Sequence, residues 1–233
     1  MSSIGLLDQP NECIHCHKRF MSPRTLFSHM CERKRRALQK NEKRVQAGFY
    51  AYNKFWQLTQ NAKKSKTYED FCASPYYNAF VKFGSFVNNV NPLYPDKFID
   101  YVIKSGVKLD HWCHETLYEK YLYEVLKTEP VESAMERSLS TMMVWAEKNK
   151  AVFGDYFRFV SLNRAVHDIK LGQISPWVVY NSASGQDMMN RMNDEQLEMI
   201  SPAIDPAHWM GKIKSSPSDI ALVKEICKEA GIK

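Results

Sequence analysis

The apolar positions that follow the first third of the basic stretch fall at Leu38, Val45, Phe49, Tyr52 and Trp56. Their helical spacing traces one face of a helix running to about Gln60. Beyond the polar turn Asn61 to Lys66, the same periodicity returns over Phe80 to Val87, Phe98 to Ile103, Leu117 to Leu126, Val131 to Trp145, Tyr156 to Leu171, and Ile220 to Ala230. Start signals punctuate these stretches. Thr67 and Asp70 are spaced as a capping box, and Ser74-Pro75, Ser175-Pro176, Ser201-Pro202, Asp205-Pro206 and Ser216-Pro217 each set a capping side chain before a proline. Tyr94-Pro95-Asp96 and Glu129-Pro130 also mark helix starts, while Gly106, Gly172 and Gly231 stand where C-terminal glycines belong. Runs rich in β-formers, such as Trp177 to Tyr180, are short and begin on a helix-type cap. The pattern predicts an all-α multi-helical body of about eight or nine helices.

The amino-terminal stretch follows a different logic. Cys13 and Cys16 form a C-x-x-C knuckle whose thiolates can grip one metal ion, and Phe20, Leu26 and His29 follow it. Ser22-Pro23 sets an N-cap before a helix that would carry His29. On these residues, over 11 to 32, the segment resembles a classical zinc finger (two cysteines, then two histidines), which implies that Phe20 and Leu26 form the miniature core closed by the metal. The departure is at the fourth ligand. The usual second histidine would fall at Arg33, which cannot bind zinc, whereas Cys31 lies two residues after His29. On a continuous helix those side chains diverge by about 200°, so both reach one metal only if the helix ends or unwinds between them. A tetrahedral site of Cys13, Cys16, His29 and Cys31 is expected, with His15 and His17 as the other candidates for the fourth position. Four protein ligands leave no open position for water, so the zinc is expected to be structural. Metal binding and folding should be coupled in so small a segment.

Charge sharpens this picture. Residues 1 to 66 carry 14 Lys or Arg against 4 Asp or Glu, while the remainder carries 18 against 22, so an overall charge of +6 conceals a basic amino-terminal part and an acidic body. A finger leading into a long basic helix is a surface suited to phosphates. The expected contacts are Lys18, Arg19, Arg24, Arg33, Lys34, Arg35, Arg36, Lys40, Lys43 and Arg44. The finger positions that would face bases are Ser22, Thr25 and Ser28, none of which makes a bidentate base contact. Binding to DNA or RNA is therefore expected to be salt-sensitive and weakly sequence-selective. The domain reading is a flexible lead over 1–10, the finger over 11–32, a basic and aromatic helix over 33–62, and a helical domain over 63–233.

Three of the six cysteines lie in the finger and the others are scattered through apolar patterns, which fits a reducing compartment rather than a disulfide framework. No stretch has the length of a membrane span or the form of a signal peptide, so a cytoplasmic location without membrane contact is expected. The stretches His29 to Arg36, Ala79 to Gly84 and Ile174 to Trp177 resemble uncharacterised proteins of large tailed bacteriophages. That resemblance assigns no activity; it implies an accessory protein acting on phage DNA in the host cytoplasm.

Candidates for chemistry are sparse. Asp110 to Glu115 gathers two histidines, a cysteine and two carboxylates, but no partner motif accompanies it; Asp110 reads as an N-cap and Trp112 as a core anchor. Arg164, His167 and Asp168 share a helix face and read as a surface ion pair beside a core histidine. Ser182 to Gln186 lacks the glycines of a nucleophile elbow. The aromatic runs around Phe49 to Trp56 and Tyr76 to Phe86 could stack on unpaired bases but read as core. The leading expectation is a non-enzymatic nucleic-acid-binding accessory protein whose body recruits a protein partner. The alternative is a protein-interaction or virion-assembly factor whose finger binds protein, and the third reading is a nuclease using the 110–115 or 164–168 groups.

Overall fold

The computed structural model describes residues 11–233, and the lead expected over 1–10 lies outside them. The regular elements of the described residues are helices, and their only β-pairing is an isolated antiparallel bridge between Glu12 and Arg19. Two compact units form. One runs to Asn89 and resumes over Ile103–Cys113; the other comprises Val90–Val102 and His114–Lys233.

The first unit contains α1 (Pro23–Ser28), α2 (Glu32–Leu38), α3 (Lys43–Gln60), α4 (Tyr68–Ala73) and α5 (Tyr77–Val90). The single helix expected over 33–62 is thus two helices. The break is visible in the hydrogen bonds: Lys40 N–H turns back to Ala37 O rather than to Arg36 O, and the freed Arg36 carbonyl accepts from Tyr68 Oη at 2.6 Å. A long-range tyrosine thus replaces the helical donor at that carbonyl. The aromatic face of α3 does what its spacing implies, with Tyr52 buried and its ring 5.1 Å from Phe71 and 5.4 Å from Phe80. The boundary expected at 62–63 falls inside this unit because α3 packs on the residues that follow it. Thr67 and Asp70 form the expected reciprocal capping box. Trp112 is 2% exposed, its ring near those of Phe55, Phe80 and Phe83, and its Nε1–H donates to Val107 O at 2.9 Å. Asp110 lies in a single 3-10 turn, Leu109–His111, and does not cap the next α-helix, whose cap residue is His114.

Two glycines let α3 and α5 touch backbone to backbone. A Cβ on Gly84 would lie 2.1 Å from Arg44 O and 2.6 Å from Gly48 N, and one on Gly48 would lie 2.6 Å from Phe80 O. Neither neighbour is a side chain that could swing away. Gly84→Ala is expected to lower stability by about 1–3 kcal/mol or more in urea denaturation. An unchanged midpoint would show that the helices do not approach this closely.

The second unit contains α6 (Pro95–Lys104), which reaches its boundary, then α7 (Glu115–Thr128), α8 (Val131–Asn149), α9 (Tyr156–Phe159), α10 (Leu162–Lys170), α11 (Pro176–Asn181), α12 (Ala183–Asn190), α13 (Asp194–Ile204), α14 (Pro206–Ser215) and α15 (Pro217–Glu229). Helices α10 and α13 pack together, as do α11 with α8, α12 and α15. Trp177 and Trp209 meet edge to face at 5.5 Å in its core. Gly106, Gly172 and Gly231 all adopt the left-handed backbone expected after a helix. Two expectations change. The stretch Tyr156 to Leu171 is two helices, because Ser161 caps a new start by accepting from Arg164 N–H. Pro202 lies inside α13 rather than at a start, since the Asn193–Gln196 capping box begins that helix eight residues earlier. No helix among the described residues is long and apolar enough to cross a membrane.

Candidate metal centre

The knuckle is set by backbone bonds. Cys13 N–H donates to Lys18 O at 2.9 Å, His17 N–H to Cys13 O at 2.8 Å, and Phe20 N–H to Asn11 O at 2.8 Å. His17 takes a left-handed conformation (φ 59°) to reverse the chain. This turn sets Cys16 near Cys13, which is 4% exposed. Burial opposes ionisation of Cys13, but the N–H groups of His15 and Cys16 together with the Cys16 and Cys31 side chains outweigh it and hold its thiol below the ordinary cysteine value.

The other two donors come from the interruption that the sequence requires. Ser22 caps α1 with Pro23 in its first turn, and the helix stops at Ser28; His29 is its extended C-cap (ψ 123°). Cys31 is then the N-cap of α2, its Sγ accepting from Lys34 N–H at 3.3 Å. Lys34 Nζ donates to His29 O at 3.1 Å and ties α2 to the end of α1. The Phe20 ring lies 4.6 Å from that of His29, and Phe20 and Leu26 are half-buried beside the centre.

The four donor atoms lie within 4.8 Å of one another. Cys13 Sγ is 3.9 Å from Cys31 Sγ, and Cys16 Sγ is 3.3 Å from His29 Nε2. A tetrahedron with metal–sulfur bonds of about 2.3 Å has edges of about 3.8 Å, so these separations suit one shared ion. Among the described residues this is the one set of three or more His, Cys, Asp or Glu side chains gathered in this way. His15 and His17 are not part of it. His17 Nδ1 pairs with Glu12 at 3.2 Å, and Arg19 Nε binds the other carboxylate oxygen at 3.1 Å. These two hydrogen bonds, Arg19 foremost, pull the Glu12 carboxyl below its usual value.

Of the ten expected phosphate contacts, Lys18, Arg19, Arg24, Arg33, Arg35, Lys40, Lys43 and Arg44 are exposed. Lys34 is half-buried on His29. Arg36 has an internal role: its Nη1 donates to Cys72 O at 2.7 Å and Ser74 O at 3.3 Å, its guanidinium covers the Tyr77 ring at 4.4 Å, and it pairs with Glu32. It fastens α2 to the end of α4 and is not presented to a ligand. Nothing in a run of basic residues distinguishes it, because its carbonyl partners lie 36 and 38 positions away. Ser22, Thr25 and Ser28 turn their hydroxyls toward their own helix, Thr25 to Ser22 O at 2.8 Å and Ser28 to Thr25 O at 3.2 Å.

The 164–168 group is organised differently from its sequence reading. Asp168, 2% exposed, accepts from Arg164 Nε and Tyr156 Oη, each at 2.8 Å, whereas His167 is exposed rather than in the core. Burial first, then the Asp168 carboxylate, raises the Tyr156 phenol pKa. This is an anchored carboxylate joining α9 to α10. Ser182 is likewise structural, its Oγ capping α12 through Gly185 N–H and donating to Val178 O. No family model, curated protein or solved structure matches the chain.

Proposed function

We propose that this is a non-enzymatic, zinc-stabilised nucleic-acid-binding protein that contacts phosphates through its finger, α2 and the start of α3. The donor set of three thiols and one imidazole is the chemistry that favours zinc, and a closed four-ligand site has a structural rather than catalytic use. The observation that carries the reading is the set of eight exposed basic side chains along the finger, α2 and the turn into α3. With the hydroxyls of Ser22, Thr25 and Ser28 bonded within their own helix, contact would run to phosphate oxygens more than to base edges. DNA and RNA are both suitable partners, and the acidic helical body suits a protein partner. A setting in phage replication, recombination or transcription rests on the three short sequence resemblances alone.

Fluorescence anisotropy with duplex DNA and with RNA, across a salt series, tests this. Affinity should fall steeply with salt, and replacing Arg33, Arg35 and Lys43 with alanine should weaken binding and lower the log–log slope by about 0.7–0.9 per lost contact. Arg36 is left in place because its removal would damage the fold. No binding at low salt would overturn the reading in favour of a protein-binding finger. One observation favours that second reading: Ile14, Met21, Phe27 and Met30 are 82%, 99%, 89% and 58% exposed on the finger.

A further inference from the structure

A second feature of the first unit lies beside the basic stretch. Along α3, Gln46, Phe49, Tyr50, Asn53, Lys54 and Gln57 follow one another at helical spacing and form a single stripe. This stripe is distinct from the buried one carried by Val45 and Tyr52. Facing it is the segment that leads into α4. Asn53 holds that segment by accepting from Lys66 N–H at 2.7 Å, and Gln57 Nε2 reaches Ser65 Oγ at 3.5 Å. Between the two lies a cleft of about 510 Å³, within the range of small-ligand sites. The turn that separates α2 from α3 puts Lys40 and Asn41 at the same cleft.

Its lining is chemically one-sided. It includes Lys40, Lys54 and Lys66 and no carboxylate, and its aromatic wall is Phe49, Tyr50 and Tyr68. The lysines stand over aromatic rings: Lys40 over Tyr68 at 5.2 Å, Lys54 over Tyr50 at 5.8 Å and Lys66 over Trp56 at 4.9 Å. Tyr50 is 39% exposed, whereas Ala51 and Tyr52, which follow it, are buried. Aromatic faces with surrounding cations and amide side chains are the combination that takes a nucleobase and its phosphates: the ring stacks, the lysines meet the anion, and the amides can hydrogen-bond a base edge.

We infer that this cleft receives an unpaired nucleotide of a single-stranded nucleic acid, the base stacking on Tyr50 and the flanking phosphates meeting Lys40, Lys54 and Lys66. The inference rests on the nucleic-acid reading and deepens it. The phosphate-contacting residues would hold any strand, whereas this cleft would discriminate in favour of one whose bases are free. Lys40 belongs to both sets, so a strand leaving the basic stretch would enter the cleft without a gap.

The test compares, with the full zinc-loaded chain, an oligothymidylate, an abasic strand of equal length and charge, a duplex, and free thymidine monophosphate. The base-bearing single strand should bind about tenfold more tightly than the abasic one, as one good stack provides. Tyr50→Ala should remove that advantage while leaving the salt slope unchanged, and Tyr50→Trp should restore it. Lys54→Gln should lower the slope by about one contact. Saturable binding of the monophosphate that is lost in Tyr50→Ala would support the same base site and show that it also accepts free nucleotide. Equal binding of base-bearing and abasic strands, unaltered by Tyr50→Ala, would overturn the cleft assignment while leaving the phosphate-binding reading intact. Failure of every strand to bind at low salt would overturn both.

Discussion

A Cys13→Ser chain is expected to carry no zinc and to lose ordered structure over residues 11 to 32. Cys13 is the buried donor of the set, and its Sγ lies 3.9 Å from Cys31 Sγ. A serine hydroxyl in its place neither ionises at neutral pH nor matches a metal–sulfur bond length. The consequence is large because little else holds the segment: α1 has no buried residue, nor has α2. Zinc binding in isolated fingers contributes about 10–16 kcal/mol at neutral pH, which is folding free energy for such a module. Metal analysis should fall from one zinc per chain to none, and protease should cut within 11–32 while far-UV circular dichroism retains the signal of the remaining helices. Chelation of the unaltered protein should give the same pattern. His17→Ala, at a residue paired with Glu12, should keep its zinc and serves as the control. A Cys13→Ser protein that still holds one zinc per chain would show that the ligand assignment is wrong.

The second large effect is expected at Arg137→Met, far from the metal. Arg137 donates through Nη1 and Nη2 to both oxygens of Glu129, at 2.5 and 2.7 Å, and through Nε to Gly172 O at 2.7 Å. One guanidinium thus joins the end of α7, the first half of α8 and the turn after α10. The side chains of Arg137 and Glu129 are only 13% and 3% exposed. Removing the cation leaves a buried carboxylate without its bidentate partner, with only the more distant Lys212 acting on it, which costs about 3–5 kcal/mol. Urea denaturation should register that loss. The double substitution Glu129→Leu, Arg137→Met should be markedly less damaging than Arg137→Met alone, because no charge remains to be stranded. A cost below about 1 kcal/mol for the single change would show that water reaches the pair.

Much of the fold could be read along the chain wherever a signal and its effect lie within a turn or so of each other. Ser22, Thr67, Ser175 and Asp205 cap helices as their positions imply, since an N-cap bond spans two or three residues. The same holds for the four candidate metal ligands. The two-residue gap between His29 and Cys31 demands a helix break, and α1 ends and α2 begins there. Less legible were the elements whose limits depend on remote partners. The basic stretch breaks after Leu38 beside a carbonyl that Tyr68 caps, and the clefted stripe of α3 matters only because Asn53 holds the segment before α4 against it. Pro202 was misplaced for a local reason: a stronger start signal at Asn193 came first.

By itself, then, the chain determined its helical class, several of its caps, the four cysteine and histidine side chains that could hold a metal, and the concentration of positive charge ahead of residue 67. Each is a matter of spacing, chemistry or composition within a short window. Tertiary structure decided which of those charges remain outside. Arg36 and Lys34 are chemically like their neighbours, but carbonyls of Cys72, Ser74 and His29 claim them. It also decided that Tyr50 faces a cleft while Tyr52, two residues on, is buried. Two residues on a helix are turned about 200° apart, and what stands on each side is known only once the rest of the chain has folded around it.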